Sequence, residues 1–224
     1  MLPRVVLFDL DGTLIDSIPL LVASMRHAFE GHPRAPSTAE WVALIGTPLD
    51  GMIRRWAIDE DDVERLKERY KRYQWENHDA IVRAFPGVPE VLEALSAHGV
   101  RMAVVTSKLE PSARRSLEFL GISRHFALVV GIEATERHKP DPDPVRFALD
   151  RLGGRPEEAA FVGDSPHDVA AGNAAGVATV ATLWGPFTRE QLAPARPTAW
   201  AERVGDLLPV LVRLGERVRA IPGG

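Results

Sequence analysis

The chain has no cysteine among its 224 residues, which excludes disulfides, a thiol nucleophile and thiolate metal sites. Lysine is nearly as scarce: Lys67, Lys71, Lys108 and Lys139 are the only four among 27 basic residues, the rest being arginine. No apolar run approaches the length of a membrane span, and residues 1–20 carry Asp9, Asp11 and Asp16 where a leader needs an uncharged stretch. A formal net charge of −4 argues against a general polyanion binder. The expectation is a soluble cytoplasmic protein with no nucleic-acid or membrane partner and with its oligomeric state left open. With 45 % hydrophobic residues, the chain can bury the core of one large domain or of a core plus a smaller insert.

What is present begins with an anomaly. The first apolar run, Val5-Val6-Leu7-Phe8, continues into Asp9-Leu10-Asp11-Gly12-Thr13-Leu14, placing two carboxylates where a buried strand should stay apolar. Strand alternation puts Asp9 and Asp11 on one side and Phe8 and Leu10 on the other. Two like charges about 4 Å apart repel by ~4 kcal/mol at an effective dielectric near 20, so a divalent cation or a proton is expected between them.

Five apolar runs rich in β-branched residues, Val5–Leu10, Val100–Ser107, Phe126–Ile132, Ala159–Gly163 and Val177–Leu183, alternate with helical patterns. That alternation predicts an α/β fold, a parallel sheet with helices on both faces. Helices are predicted over Pro89–His98, Pro111–Leu120, from about Pro144 to Leu152, and from Pro166 toward Gly176, with proline near each start and glycine just past each end. The tail from Arg196 reads as a short strand and a helix, Val204–Leu214.

Between the first two strands the gap is too long for one crossover. From Ser17 to Ala84 the periodicity is helical, with stripes Ile18, Leu21, Val22, Met25, Phe29 and Val63, Leu66, Tyr70, Tyr73. Ser37 and Glu40 form a capping-box pattern ahead of Trp41. An inserted all-helical module of three or four helices over 17–83 is expected, with 1–16 and 84–224 forming the sheet core. Its stripes read as ordinary core.

Four places hold residues suited to chemistry. An Asp-Gly turn accounts for Asp11 and Gly12 but leaves Asp9 unexplained. The alternative makes Asp9 a carboxylate nucleophile that forms an aspartyl phosphate, with Asp11 protonating the leaving oxygen and then activating water. Thr106-Ser107-Lys108 closes the second strand, where a hydroxyl is by itself an ordinary turn or N-cap residue. Lys139 stands in His138-Lys139-Pro140-Asp141-Pro142, where a lone lysine is either a solvated group or a point charge with a task. In Gly163-Asp164-Ser165-Pro166-His167-Asp168, Ser165, Pro166 and Asp168 make a helix start, for which Asp164 is not needed.

Taken together, Asp9-Leu10-Asp11-Gly12-Thr13-Leu14 and the three later segments, in this order over nearly the whole chain, resemble the haloacid dehalogenase superfamily, specifically its phosphatases. That resemblance implies a Rossmann-like core with a helical cap inserted after the first strand, and Mg²⁺ held by the Asp9 carboxylate, the Asp11 backbone carbonyl and Asp164. It implies a phosphate-binding Thr106 assisted by the amide or hydroxyl of Ser107, and a Lys139 that offsets charge on the nucleophile and the transferred phosphoryl group, with Asp168 in support.

The resemblance further implies a small-molecule phosphorylated substrate. Asp16-Ser17 and Ile45-Gly46-Thr47-Pro48 look like the phosphoglycolate-phosphatase group, while Thr106-Ser107-Lys108, Asn77-His78-Asp79 and Lys139-Pro140-Asp141-Pro142 are similar to the branch that hydrolyses inorganic pyrophosphate. A phosphoglycolate-type phosphomonoesterase is the first reading and a pyrophosphatase the second. A β-phosphoglucomutase-type isomerase fits less well, since Gly12-Thr13 stands where such relatives carry Gly-Val, and a non-catalytic phosphate-binding protein would not need all the key groups. Arg54, Arg55 and His78 are the insert's candidates for substrate contact.

Overall fold

The computed structural model describes residues 1–220, so the last four residues of the expected core lie outside the described residues. The chain opens with β1 (Val5–Phe8) and β2 (Ile15–Asp16), then runs through α1 (Ile18–Ala28), α2 (Thr38–Val42), α3 (Leu49–Arg54) and α4 (Glu60–Ile81) to β3 (Arg83–Ala84). There follow α5 (Val88–Ala97), β4 (Arg101–Val105), α6 (Glu110–Phe119), β5 (Leu128–Val130), α7 (Asp143–Leu152), β6 (Ala159–Gly163), α8 (Pro166–Ala175) and β7 (Ala178–Thr182). The chain ends in α9 (Arg189–Leu192), β8 (Ala199–Ala201) and α10 (Leu207–Ala220). No helix among the described residues is long and apolar enough to cross a membrane.

Six strands form one parallel sheet in the order β5-β4-β1-β6-β7-β8, bearing out the expected α/β class. Its strands are apolar throughout because both faces are covered. Val6 and Phe8 of β1 pack into a layer with Val91 and Leu95 of α5, Leu117 of α6 and Leu211 of α10. Val5 and Leu7 face the opposite layer, against Val145 and Leu149 of α7 and Ala171 of α8. The predicted punctuation holds: proline stands in the first turn of α5, α6, α7 and α8, and Gly153 and Gly176 end α7 and α8 in the left-handed region. The strands are shorter than the apolar runs predict, Val5–Phe8 for Val5–Leu10 and Arg101–Val105 for Val100–Ser107, because the runs include the loop residues that turn away from the sheet. The last short strand is β8, and the terminal helix begins at Leu207 rather than Val204, since residues 204–206 form a separate 3-10 turn.

The four helices between β2 and β3 bury their stripes against one another around Phe29, Trp41, Ile53, Leu66 and Tyr70. Fully burying an apolar side chain of this size contributes about 1.5–3 kcal/mol, so these stripes supply the insert with a core of its own. Ser37 and Glu40 make the expected capping box at α2. The chain enters and leaves this region through β2 and β3, which pair antiparallel, Ile15 with Ala84 and Asp16 with Arg83.

One expectation is corrected here. The alternation that would place the carboxylates of Asp9 and Asp11 on one side requires an extended chain to residue 11, but β1 ends at Phe8. Beyond it the Leu10 carbonyl accepts from the amides of Thr13, Leu14 and Ile15, at 3.3, 3.0 and 3.1 Å, in a tight turn. Asp11 belongs to that turn, so strand periodicity no longer directs its side chain.

Candidate active site

From the central strand β1, the successive crossovers lead to β4 and β5 on one side and to β6, β7 and β8 on the other, which opens a crevice at the strands' carboxyl ends. Asp9 stands at its base. The Asp9 amide donates to the Val162 carbonyl of β6 at 2.9 Å, and on the other side the Thr106 amide donates to the Val130 carbonyl at 3.0 Å. The backbone ladders thus run one residue past β1 and β4 and fix where both side chains emerge.

Behind the crevice is a buried ionic cluster. Lys139 Nζ donates to Asp9 Oδ1 at 2.7 Å, to Asp168 Oδ1 at 2.6 Å and to the Val105 carbonyl at 3.3 Å. Asp168 has two tasks: its Oδ2 accepts from the Ser165 amide at 3.0 Å and hydroxyl at 2.6 Å, closing the capping box of α8, while its Oδ1 holds Lys139. Burial by itself would lower the Lys139 pKa, but the Asp168 and Asp9 carboxylates outweigh it and keep the ammonium charged. Burial pushes the Asp9 carboxyl up to about 7 against the opposing pull of Lys139.

Asp164 is fully buried, and its Oδ1 accepts from the Thr13 hydroxyl at 2.6 Å, which links the first and last of these loops. Its Oδ2 is buried without a partner among the described residues. Burial, then the charges of Asp9 and Asp168, raise its pKa well above the usual carboxylate range. Oxygen atoms of Asp9, Asp164 and Asp168 lie within 4.8 Å of one another. An unpartnered carboxylate oxygen in an all-oxygen donor set fits a small, hard divalent cation, which would relieve both the orphaned atom and the mutual repulsion. Glycine makes room for this carboxylate: a Cβ on Gly12, whose φ is +89°, would come 2.4 Å from Asp164 Oδ2.

The Asp11 carboxylate is not part of that group. It accepts from Ser17 Oγ at 2.5 Å and from Lys108 Nζ at 2.7 and 3.0 Å, so its compensating cation is a lysine from the loop after β4. Lys108 is therefore brought into the site. Thr106 is buried, and its Oγ1 accepts from the Lys108 amide at 3.2 Å, which leaves its own O–H proton to donate. The hydroxyl of Ser107 donates instead to the Gly46 carbonyl of the helical insert at 2.7 Å. Only the amide of Ser107 remains for an anion in this arrangement.

Asp9, Asp11, Thr106, Ser107 and Lys108 open onto a cavity of about 650 Å³ whose opposite wall is supplied by the insert. His78 lines it, whereas Arg54 and Arg55 do not; Arg54 is engaged on the surface by Asp50 and Glu60. The His78 ring is buried between Asp79 and Ser116, 2.7 Å from each, and burial lowers its pKa. Sequence reasoning missed Tyr70 and Trp41 as parts of this wall, because both fall in apolar patterns that read as core; no local signal separates a core aromatic from one that also faces a cavity. It also missed Thr13 as the partner of Asp164, 151 residues away.

Comparison with known proteins places this geometry among relatives. The family model described as haloacid dehalogenase-like hydrolase matches residues 6–182. PpaX of Caldanaerobacter subterraneus is 38 % identical over 207 residues, covering 92 % of this chain and 93 % of the relative. Pyrophosphatase PpaX of Bacillus velezensis is 35 % identical over 206 residues, covering 92 % and 94 %. The crystal structure of a predicted phosphoglycolate phosphatase from Haemophilus somnus is 30 % identical and superposes with a TM-score of 0.85, covering 92 % of this chain and 96 % of that one. With the family model spanning the motif loops and the relatives aligned over nearly their whole length, the chain belongs to the haloacid dehalogenase-like hydrolases.

Proposed function

We propose that the protein is a Mg²⁺-dependent phosphohydrolase that passes the phosphoryl group of a small phosphorylated substrate first to Asp9 and then to water. The observation that carries this reading is the setting of Asp9: a buried carboxylate at the end of the central strand, held by Lys139 at 2.7 Å and opening onto the cavity. Attack by a carboxylate oxygen of Asp9 on phosphorus forms the new O–P bond as the bond to the leaving oxygen breaks. Asp11 faces the same cavity from the next turn of chain, where it supplies the proton to the leaving oxygen and afterwards takes one from the water that hydrolyses the aspartyl phosphate. Thr106 donates its O–H and Ser107 its amide to the phosphoryl oxygens, and Lys139 offsets their charge.

Asp9, Asp164 and the Asp11 backbone carbonyl are the groups that would hold Mg²⁺, which supplies charge neutralisation for the transferring phosphoryl group. Asp168 acts through Lys139, which it orients. Residues 17–83 serve as a cap over a core of 1–16 and 84–224, a division supported by the paired β2 and β3. The substrate is a phosphomonoester of the phosphoglycolate type; a second reading, inorganic pyrophosphate, is favoured by relatives that bear the name pyrophosphatase.

The test is turnover with Mg²⁺ of phosphoglycolate, pyrophosphate, sugar phosphates, nucleotides and p-nitrophenyl phosphate, compared by kcat/KM. Asp9→Asn is expected to lower every rate by at least about a thousandfold with the fold intact. Absence of turnover of the whole panel, or substantial activity in Asp9→Asn, overturns the reading.

A further inference from the structure

The cavity wall opposite Asp9 contains a donor that the reaction above does not use. Tyr70 lies on α4 and is 4 % exposed, with its ring 5.7 Å from that of Trp41. Several buried hydroxyls are spoken for: Thr13 bonds Asp164, Ser17 bonds Asp11 and Ser24 bonds the Leu20 carbonyl. The Tyr70 hydroxyl, in contrast, bonds no group among the described residues, and the residue lines the cavity that Asp11 enters from the core side. Burial, together with the charge of Asp11, pushes its ionisation up, so the group remains a neutral O–H donor. With no protein group accepting from it, this hydroxyl is free to donate to a ligand acceptor in the cavity.

The chemistry of the missing acceptor follows from the rest of the wall. Trp41 Nε1–H is buried without an acceptor, and Lys71 and Arg72, one turn from Lys67 on α4, have no carboxylate within 4 Å among the described residues. Lys67 itself is satisfied by Asp50 and Glu64, and Lys108 by Asp11. The wall's one carboxylate without a cation is Glu76, which is exposed. Donors and cations therefore exceed acceptors on the side where a leaving group would lie. It is also where three of the four lysines of this arginine-rich chain line one cavity, with the fourth on Asp9.

We infer that Tyr70 is a specificity-determining residue whose hydroxyl donates to a second oxyanion carried on the leaving group, in a subsite it shares with the cationic residues of α4. This rests on the phosphohydrolase reading and deepens it by naming the substrate class: a compact molecule with a phosphoryl group at one end and a phosphate or carboxylate a few bonds away. Substrates with a neutral leaving group would forgo this hydrogen bond and the attraction of the nearby cations, and so bind less tightly.

Three phosphonates that the enzyme cannot hydrolyse separate the possibilities: methylenediphosphonate carries a second phosphonate, phosphonoacetate a carboxylate, and methylphosphonate neither. Titration calorimetry with Mg²⁺ should show at least one of the first two binding about tenfold more tightly than methylphosphonate, with most of that advantage lost in Tyr70→Phe. Whichever of the two binds more tightly identifies the second oxyanion. Equal affinities for all three, or equal losses for all three in Tyr70→Phe, overturn the inference.

A second measurement needs no substitution in the wall. The chain has two tyrosines, Tyr70 and Tyr73, so 3-fluorotyrosine labelling yields two ¹⁹F resonances, assigned with Tyr73→Phe. The Tyr70 resonance is expected to move with the tighter of the two bifunctional phosphonates and to stay in place with methylphosphonate; no movement with either bifunctional phosphonate refutes the assignment. Binding of these analogues does not depend on turnover, so a failure here is distinct from a failure of the panel above.

Discussion

Ser107 donates its hydroxyl to the carbonyl of Gly46 at 2.7 Å, joining the loop after β4 to the loop between α2 and α3 across the seam of sheet and insert. Of the two Ser107 groups expected to assist in holding phosphate, its amide and its hydroxyl, the hydroxyl instead ties the insert to the core. A neutral hydrogen bond of this kind contributes about 0.5–1.5 kcal/mol. Ser107→Ala is therefore expected to raise KM several-fold with a smaller change in kcat, measured by steady-state kinetics on the best substrate of the panel. A fall in kcat with KM unchanged would show that the hydroxyl acts on the reacting phosphoryl group.

Gly12 sits where two constraints meet, a backbone φ of +89° and an Asp164 oxygen 2.4 Å from where a Cβ would stand. Gly12→Ala combines strain of about 1 kcal/mol with displacement of that carboxylate. Mg²⁺ affinity, read by calorimetry, should fall by at least tenfold, and the midpoint of urea unfolding should fall as well. Retention of wild-type Mg²⁺ affinity would mean that Asp164 does not hold the ion.

Asp168 joins the cap of α8 to the ammonium of Lys139, and both are buried. Asp168→Ala removes one of the two carboxylates on that ammonium and the capping box together, a loss of about 3 kcal/mol. Chemical denaturation measures it. Asp168→Asn keeps an acceptor for the cap and should recover part of the stability, while turnover stays low because Lys139 is less firmly held.

Protons and the proposed Mg²⁺ would compete for the same carboxyls. Asp9 is raised from 3.8 to about 7 and Asp164 is raised too, both chiefly by burial, so between about pH 4 and 7 the folded protein binds more protons than the unfolded chain. Stability then falls as pH rises through that window. For protein stripped of metal, the melting temperature should be higher near pH 5.5 than at pH 8. Added Mg²⁺ should raise it more at pH 8 than at pH 5.5, because the ion takes the ionised form. Scanning calorimetry with chelator and with Mg²⁺ checks both signs.

Much of the fold was legible because parallel strands buried on both faces leave unbroken apolar runs, as at Val5–Phe8 and Ala159–Gly163, and because proline and glycine bracket α5 through α8. The loops of Asp9 and Asp164 were legible as well, since neither aspartate is needed for a turn or a cap, whereas those of Thr106 and Lys139 were legible only through the family resemblance. The facing of Asp11 was not, because the turn folded back on the Leu10 carbonyl ends the strand's periodicity two residues early. Neither was the pairing of Lys108 with Asp11, 97 residues apart, nor that of Ser107 with Gly46, 61 apart: such contacts depend on how loops meet in space. Tyr70 shows the same limit, as its helical spacing reports a buried face but not the cavity beside it.

The antiparallel pairing of Ile15–Asp16 with Arg83–Ala84 brings the two crossings of the helical insert side by side. Along the chain, everything between them is a single insertion that leaves the sheet and returns to it at one place. A change of length within it need not reroute any strand of the sheet. If residues 17–83 are the cap proposed above, the machinery that acts on phosphorus and the surface that chooses what carries it are free to change at different rates.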